Sequence, residues 1–433
     1  MSPSWLLACL VLSAAALVQS ILMGVQAWEH ARFTRSRFRR AKRRRSKGRT
    51  LVLAPCKGVD PGLEDNLRAI LNQDHRNFEV TFIVESADDP ACPIIQQVMA
   101  EFPEVDSRVV VAGRATDCGQ KIHNLRAATA GLSPRILYLA FVDSDARPRP
   151  SWLRLLVDRL NRPTVGATTG YRWFVPKRPS LANHLLCNMN LGILTSLGPR
   201  GFYPVWGGSW ALKRKTFQRL GLRDAWNGTL SDDLVAGRLL HRARLAVGFE
   251  PVCVVASPID LTLRDLFSFL RRQYVIVRHY SIGLWFIAIA AGAIRPLGWL
   301  ATAAALGGTV GHGWLMGIPA AMILLLYGCD AYRICVMYDL ARFHCPDELE
   351  AIGRCRRLGL WAGPAIAVLH WLATLTSVFG HGITWRGIRY RLRPGGAVTS
   401  VEASVQSASC DALPSVHAPH FLTRSIPSRL SNP

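Results

Sequence analysis

An uncharged apolar run at residues 5–25 is followed at once by residues 31–49, ARFTRSRFRRAKRRRSKGR, which are densely basic and hold no acid. A helix of that apolar length spans the roughly 30 Å hydrocarbon core of a bilayer. A secretory leader carries its positive charge before the apolar stretch and a small-residue cleavage site after it. Here the chain starts Met-Ser-Pro-Ser and the charge comes afterwards. The positive-inside rule then reads residues 1–27 as a transmembrane anchor with its N-terminus outside, 28–50 as a basic juxtamembrane linker, and the chain that follows as cytosolic. This placement also interprets the net charge of +23. A nucleic-acid arm needs a folded reader beside it, and none of the recognisable modules is present, so the partner of the basic run is anionic lipid and no nucleic acid is expected. The 11 cysteines are scattered without a C-x-x-C pair; they read as free thiols of a reducing compartment.

Residues 51–262 change character to soluble α/β. Apolar strands at 51–54, 79–84, 108–112 and 136–142 alternate with helical patterns at 63–72, 94–102 and 124–131. Such alternation predicts a mostly parallel sheet with crossover helices. In open sheets of this kind ligands bind beyond the carboxyl ends of the strands, where Asp88, Asp89, Asp143 and Asp145 fall. Residues 263–282 form a basic, partly apolar stretch expected to lie along the membrane surface. Residues 283–393 hold three further apolar segments, 283–310, 314–337 and 360–379. Three full crossings would put the basic residues 384–393 outside, against the charge rule, so one segment is expected to be re-entrant, and 283–310, broken by Arg295-Pro296, is singled out. The tail 394–433, rich in Ser, Pro and Ala, is expected to be disordered.

Asp143-Ser144-Asp145 places two carboxylates at a strand end. They suit a hard divalent ion that bridges the phosphates of a nucleotide sugar, although isolated D-x-D triplets are usually solvated turns. Ser231-Asp232-Asp233 precedes a helical stretch. Ser and Asp there are ordinary capping residues, or one carboxylate is a general base; both hold if Asp232 caps and Asp233 catalyses. Lys57 and Lys121 are loop lysines, suited to phosphate contacts or merely solvated. Gly207-Gly208 signals a tight turn or a close backbone approach. ATPase and α/β-hydrolase readings lack their Gly-rich loop and nucleophile elbow.

Taken together, Pro55-Cys56-Lys57-Gly58-Val59-Asp60-Pro61, Asp88-Asp89-Pro90, Lys121-Ile122-His123-Asn124-Leu125, Asp143-Ser144, residues 207–214 and Ser231-Asp232-Asp233 resemble the ceramide glucosyltransferases of the inverting family 2-type glycosyltransferases. The resemblance covers residues 52–280. It implies a cytosolic GT-A domain in a multi-pass membrane protein, moving a sugar from a nucleotide donor such as UDP-glucose to a ceramide-like lipid hydroxyl with inversion. It implies Asp233 as catalytic base, and Asp89, Lys57, Lys121, Asn124 and Asp143 at the nucleotide sugar. Asp143 and Asp145 would be ligands of Mg²⁺ or Mn²⁺. Where the family closes with (Q/R)-x-x-R-W, this chain has Leu270-Arg271-Arg272-Gln273-Tyr274, so Arg271, Arg272, Gln273 and Tyr274 are expected at the diphosphate or acceptor. That departure leaves open a hopanoid, diacylglycerol or polyprenyl acceptor, a processive polysaccharide synthase, or an inactive scaffold. The physical expectation common to the transferase readings is that Asp89, Asp143, Asp145 and Asp233 meet in one cleft facing the bilayer.

Overall fold

A computed structural model describes residues 3–41, 48–199, 204–403 and 421–422. Strands β1 (Thr50–Pro55), β2 (Phe78–Val84), β3 (Asp106–Val111) and β4 (Tyr138–Val142) are followed by β5 (Val165–Pro176), β6 (Ser209–Lys213) and β7 (Ala246–Ile259). Their order across the sheet is β3-β2-β1-β4-β6-β5-β7, with Phe421–Leu422 beside β3. The β3, β2, β1 and β4 strands are mutually parallel, β6 runs antiparallel between β4 and β5, and β5 pairs in parallel with β7. The expected mixed α/β domain with a mostly parallel sheet is therefore present.

Both faces of the sheet are buried, as continuous apolar strands require. Alternation along β1 sends Leu51 and Leu53 to one core and Val52 and Ala54 to the other. The second core is closed by α2 (Leu63–Leu71), α3 (Ala91–Glu101) and α5 (Trp152–Asp158). The first is closed by α4 (Gln120–Ala128) and by α7 (Arg214–Arg219), α8 (Leu222–Ala225) and α9 (Asp232–Arg242). Helix α6 (Leu181–Leu194) packs below β5.

The membrane part begins with α1 (Pro3–Arg40), a single helix that carries on into the basic stretch expected to be a linker, as far as Arg40. Helix α10 (Leu263–Tyr280) opens with a capping box between Thr262 and Asp265 and buries Leu266, Leu270 and Val275 while exposing Leu263 and Phe267. That two-sided character fits a helix lying on a membrane. It is followed by α11 (Ile282–Thr309), α12 (Gly317–Asp339), short α13 (Ala341–His344) and α14 (Leu349–Leu375). Among the described residues four helices are long and apolar enough to cross a membrane, α1 and those containing α11, α12 and α14.

The contacts decide how three of these helices run. Thr302 Oγ1 donates to Ser13 Oγ at 2.7 Å and Gln19 Nε2 to the Ala291 carbonyl at 2.8 Å, so α11 runs antiparallel along α1. Helix α12 returns beside α1, with Gly24 against Tyr332 and Arg35 paired with Asp339 at 2.7 Å. Helix α14 behaves differently. It begins beside Arg147 of the α/β domain, receives Asn188 Nδ2 of α6 on the Cys355 carbonyl, and ends beside α10, where Arg278 reaches the Ser377 carbonyl. It bends at Ala362 and Pro364. Both ends of α14 thus meet the α/β side. The segment singled out as re-entrant, 283–310, runs antiparallel along α1, and α14 is the helix whose two ends both lie near the α/β side.

After α14 the chain forms a three-stranded antiparallel sheet, β8 (Gly382–Trp385), β9 (Ile388–Leu392) and β10 (Val398–Ala403). The expectation of disorder from residue 394 is corrected by β10, while residues 404–420 and 423–433 lie outside the described residues. Ile388, Tyr390 and Leu392 alternate inward and join the first core, which is why a segment this basic still folds.

Candidate active site

A cavity of about 320 Å³ lies beyond the ends of β1 and β4. Strand geometry brings its pieces together. Val142 ends β4 opposite Ser209, which starts antiparallel β6, so Gly207 and Gly208 sit beside Asp143. Strand β5 pairs with β6 only at residues 167–169 and continues past it along β7, carrying Arg172 to the same end of the sheet.

The polar end is a lattice of ion pairs. Lys121 Nζ lies 2.7 Å from Asp143 Oδ1 and 3.0 Å from Asp232 Oδ1. Arg172 reaches Asp143 Oδ2 at 2.7 Å and Asp145 Oδ2 at 3.2 Å. Burial opposes ionisation of Asp143, but Lys121 and Arg172 outweigh it and hold the carboxyl at about 2. Burial raises Asp145, with Asp143 and Asp60 adding to the effect against Arg172. Burial also raises Asp232, to about 6, opposed by Lys121 and reinforced by Asp233 and Asp143. Two like-charged carboxylates cannot both be stabilised as fully as Asp143 is.

The two glycines are required by space. A Cβ on Gly208 would stand 2.8 Å from both Arg172 Nη2 and Asp143 Oδ2, and one on Gly207 would stand 3.1 Å from Asp233 Oδ2. The Gly207 N–H donates to Asp233 Oδ2 at 2.9 Å. The roles expected for the acidic pair differ from those observed. Ser231 is the N-cap of α9 and its hydroxyl accepts from the Leu234 N–H at 3.3 Å. Asp233 Oδ1 accepts the same N–H at 2.7 Å and the Ser231 hydroxyl. Asp232 does not cap; it is buried and turned onto Lys121, and its Oδ2 has no hydrogen-bond partner among the described residues. The hydroxyl one residue earlier satisfies the helix start, which frees the first helical carboxylate to face the cavity.

Of the residues singled out by sequence, Lys57, Lys121, Asn124, Asp143, Asp145, Asp233, Arg272, Gln273 and Tyr274 line this cavity. Asp89 is not among the lining residues. Its Oδ1 accepts from Gly58 N at 2.8 Å and Ala91 N at 2.9 Å, fixing the loop after β1 against α3. Three of the four acids expected in one cleft therefore share it. Arg271 also lies off the cavity and donates to the Phe379 and Gly382 carbonyls. Asn124 is buried, donating to the Ile83 carbonyl and accepting from Gln120. Lys57 pairs with Glu85, and Tyr274 Oη meets His370 Nε2 at 2.7 Å. Sequence reading missed Arg172, Trp385 and Arg386 as site residues and gave Asp232 only a capping role; all four line the cavity. An arginine inside a strand between Tyr171 and Trp173 was the available signal for the first.

The other end of the cavity is apolar, lined by Leu186, Met189, Ile193 and Leu284, while Phe174 and Phe269 lie against the Arg172 and Arg272 guanidiniums. Phe174 comes from β5 and the others from α6, α10 and the start of α11. A divalent cation is tested by the oxygen set. Asp145 Oδ1 is buried without a hydrogen-bond partner among the described residues. No group of three His, Cys, Asp or Glu among the described residues would hold a metal by itself. Two carboxylates fit a hard cation that takes its remaining oxygens from bound phosphates, the usual arrangement for Mg²⁺.

The family model described as "Glycosyl transferase family 21" matches residues 10–398. Similar curated proteins include the ceramide glucosyltransferase of Komagataella phaffii, 29% identical over 115 residues (26% of this chain, 22% of that one). The ceramide glucosyltransferase of Gibberella zeae is 28% identical over 138 residues (30% and 26%). The matched region thus spans about a quarter of the length of those relatives. Among solved structures, a mannosyltransferase from Pyrobaculum calidifontis in complex with GDP-Man and Mn²⁺ aligns with a TM-score of 0.43 at 17% identity, covering 84% of this chain and 98% of that one. Glucosyl-3-phosphoglycerate synthase from Mycobacterium tuberculosis aligns with a TM-score of 0.35 at 17% identity, covering 55% and 79%.

Proposed function

The chain belongs to glycosyl transferase family 21, and from that premise we propose that it transfers a sugar, glucose from UDP-glucose, with inversion onto the hydroxyl of a ceramide-like lipid. The single observation that carries this reading is the two-ended cavity: charged groups at the strand ends, apolar side chains toward the membrane helices. A nucleotide diphosphate suits the first end and a lipid chain the second. The acceptor oxygen attacks the anomeric carbon from the face opposite the diphosphate. The new C–O bond forms as the anomeric C–O bond to phosphate breaks, its electron pair leaving with the diphosphate, and Asp233 takes the hydroxyl proton. Lys121, Arg172 and Arg272 supply fixed positive charge where the leaving group accumulates negative charge. A divalent cation held by Asp143 and Asp145 would add further neutralisation of that charge. The catalytic domain is taken as cytosolic, because the basic residues after the anchor and those of β8–β9 then share one side.

One observation favours a second assignment of the base. Asp232 has an unpartnered Oδ2 in the cavity and sits near 6, whereas each oxygen of Asp233 already accepts a hydrogen bond. The deciding experiment offers the full-length protein in nanodiscs a panel of UDP-sugars with ceramide, diacylglycerol and polyprenyl acceptors and identifies products by mass. Asp233→Asn should lower turnover by at least about 10³-fold while UDP binding persists. Normal turnover by that variant, with loss in Asp232→Asn, moves the base to Asp232. Absence of any glycolipid removes the transferase reading.

A further inference from the structure

The polar end of the cavity has a roof that comes from far along the chain. Trp385 and Ile388 pair across a two-residue hairpin turn whose corner residues are Arg386, with φ +47°, and Gly387, with φ +74°. Both signs are those of the turn that best matches hairpin twist. An arginine is an uncommon occupant of a left-handed corner, and such outliers gather where function holds them. The Arg386 guanidinium reaches across to the loop after β1, donating to the Lys57 carbonyl and to Asp60 Oδ1 and Oδ2 at 2.8 and 3.0 Å. Asp60 Oδ2 in turn accepts from Ser144 Oγ, between the two acids of the D-x-D, at 2.6 Å.

The neighbouring Trp385 holds a second cation. Arg272 lies 5.5 Å from the Trp385 ring centroid and 5.3 Å from that of Phe269. Among the described residues no hydrogen-bond or ion-pair partner of Arg272 is found. Burial, together with Arg386 and Arg172, pushes it down to about 10. Of the three guanidiniums that line this space, Arg172 is answered by Asp143 and Asp145 and Arg386 by Asp60, which leaves Arg272 as the one without a carboxylate partner among the described residues. A guanidinium such as Arg272, held beside two others in a low-dielectric pocket, is destabilised unless an anion joins it.

We propose that Arg386 is a ligand of the donor's diphosphate and that the β8–β9 hairpin is an integral wall of the nucleotide-sugar site, with Trp385 orienting Arg272 beside it. With five N–H donors, Arg386 can keep Asp60 on Nη2 and the Lys57 carbonyl on Nη1 while its remaining N–H groups meet phosphate oxygens. This rests on the donor assignment made above, and adds to it a residue that lies after the membrane helices.

The test measures equilibrium binding of UDP, uridine and inorganic pyrophosphate to the full-length protein in nanodiscs. Arg386→Ala should weaken UDP and pyrophosphate by about 10–100-fold, the usual loss of a charge-assisted contact, with uridine unchanged. Arg386→Lys, which keeps the charge without the fork, should recover part of that loss. Asp60→Asn separates a ligand from a latch: it frees the guanidinium and should leave UDP at least as tight as in the wild type. Equal weakening by Asp60→Asn and Arg386→Ala, or a parallel loss of uridine, overturns the proposal in favour of a structural ion pair. Wild-type UDP affinity in Arg386→Ala overturns it alone and leaves the transferase reading standing. If the wild type binds neither UDP nor pyrophosphate, both fall.

Discussion

Gly208→Ala is the smallest change that tests the ion-pair lattice. The added Cβ would stand 2.8 Å from Arg172 Nη2 and from Asp143 Oδ2, and 3.3 Å from Asp143 Cγ. Gly208 is not among the left-handed positions, so alanine costs nothing in backbone conformation and the effect is one of space. Ordinary carbon contacts with such atoms begin near about 3.4 Å, so each group must retreat by roughly half an ångström. Neither is loose: Asp143 is also held by Lys121 at 2.7 Å and Arg172 by Asp145 at 3.2 Å. The change removes one charge-assisted hydrogen bond, worth about 1.5–3 kcal/mol, and kcat/KM for sugar transfer should fall about 10–100-fold. At Gly207 the nearest atoms would be 3.1 and 3.2 Å away, so Gly207→Ala should lose less than about tenfold. At Gly192 an added methyl group would meet nothing within 4 Å, so Gly192→Ala serves as a harmless control. Initial rates of radiolabelled glycolipid formation with purified protein, alongside thermal melting, provide the readout. A folded Gly208→Ala protein within twofold of wild type, or one more active than Gly207→Ala, refutes the idea that Asp143 and Arg172 must keep their present separation.

Asp145→Asn should raise the metal concentration for half-maximal activity by at least about tenfold, and the shift should appear equally in Mn²⁺-dependent UDP binding; an unchanged titration excludes Asp145 as a ligand. The raised carboxyl of Asp232 has a stability signature. A folded-state value near 6 against an ordinary 3.8 means its contribution is fully present below the ordinary value and lost as pH rises through about 6. Replacing Asp232 with Asn should therefore flatten that part of the melting-temperature profile between about pH 4 and 6.5, and a variant that tracks the wild type there contradicts the shift. For the membrane arrangement, cysteines placed at Gln97 and Arg389 in a cysteine-depleted protein should react with an impermeant maleimide from the same side of sealed vesicles. Labelling from opposite sides makes α14 a true crossing.

Strands β1 to β4 were legible because each is a short β-branched or apolar run closed by turn residues and separated by a helix-length pattern. The later strands hid this signal: β5 and β7 bury Thr168, Thr169 and Glu250 along with their apolar residues, which blurs both alternation and hydropathy. Asp143 and Asp145 were legible because strand ends are where such a sheet binds ligands; Lys121, read as a loop lysine, lies instead in the first turn of α4. Which residue caps α9 was not legible, since capping and catalysis ask for the same residue types, and the structure gives the cap to Ser231 rather than Asp232. The packing of α14 on α6 was not legible, because hydropathy records that a face is apolar and not whether lipid or another helix covers it. The hairpin's own alternation, Ile388, Tyr390 and Leu392 against Arg389 and Arg391, was visible, but its charge was spent on a topology argument.

The β8–β9 hairpin also governs when the molecule becomes competent. A ribosome releases the whole α/β domain long before residue 386 emerges, so the nascent protein holds an uncovered basin with Arg272 exposed to water. Only after the hydrophobic helices have entered the bilayer can the final ribbon fold back onto Asp60. On the reading proposed above, a nucleotide sugar would find its full set of contacts only on a chain that already carries this hairpin, and an isolated fragment ending at residue 262, without Arg272, Trp385 and Arg386, should be an open bowl rather than a small enzyme.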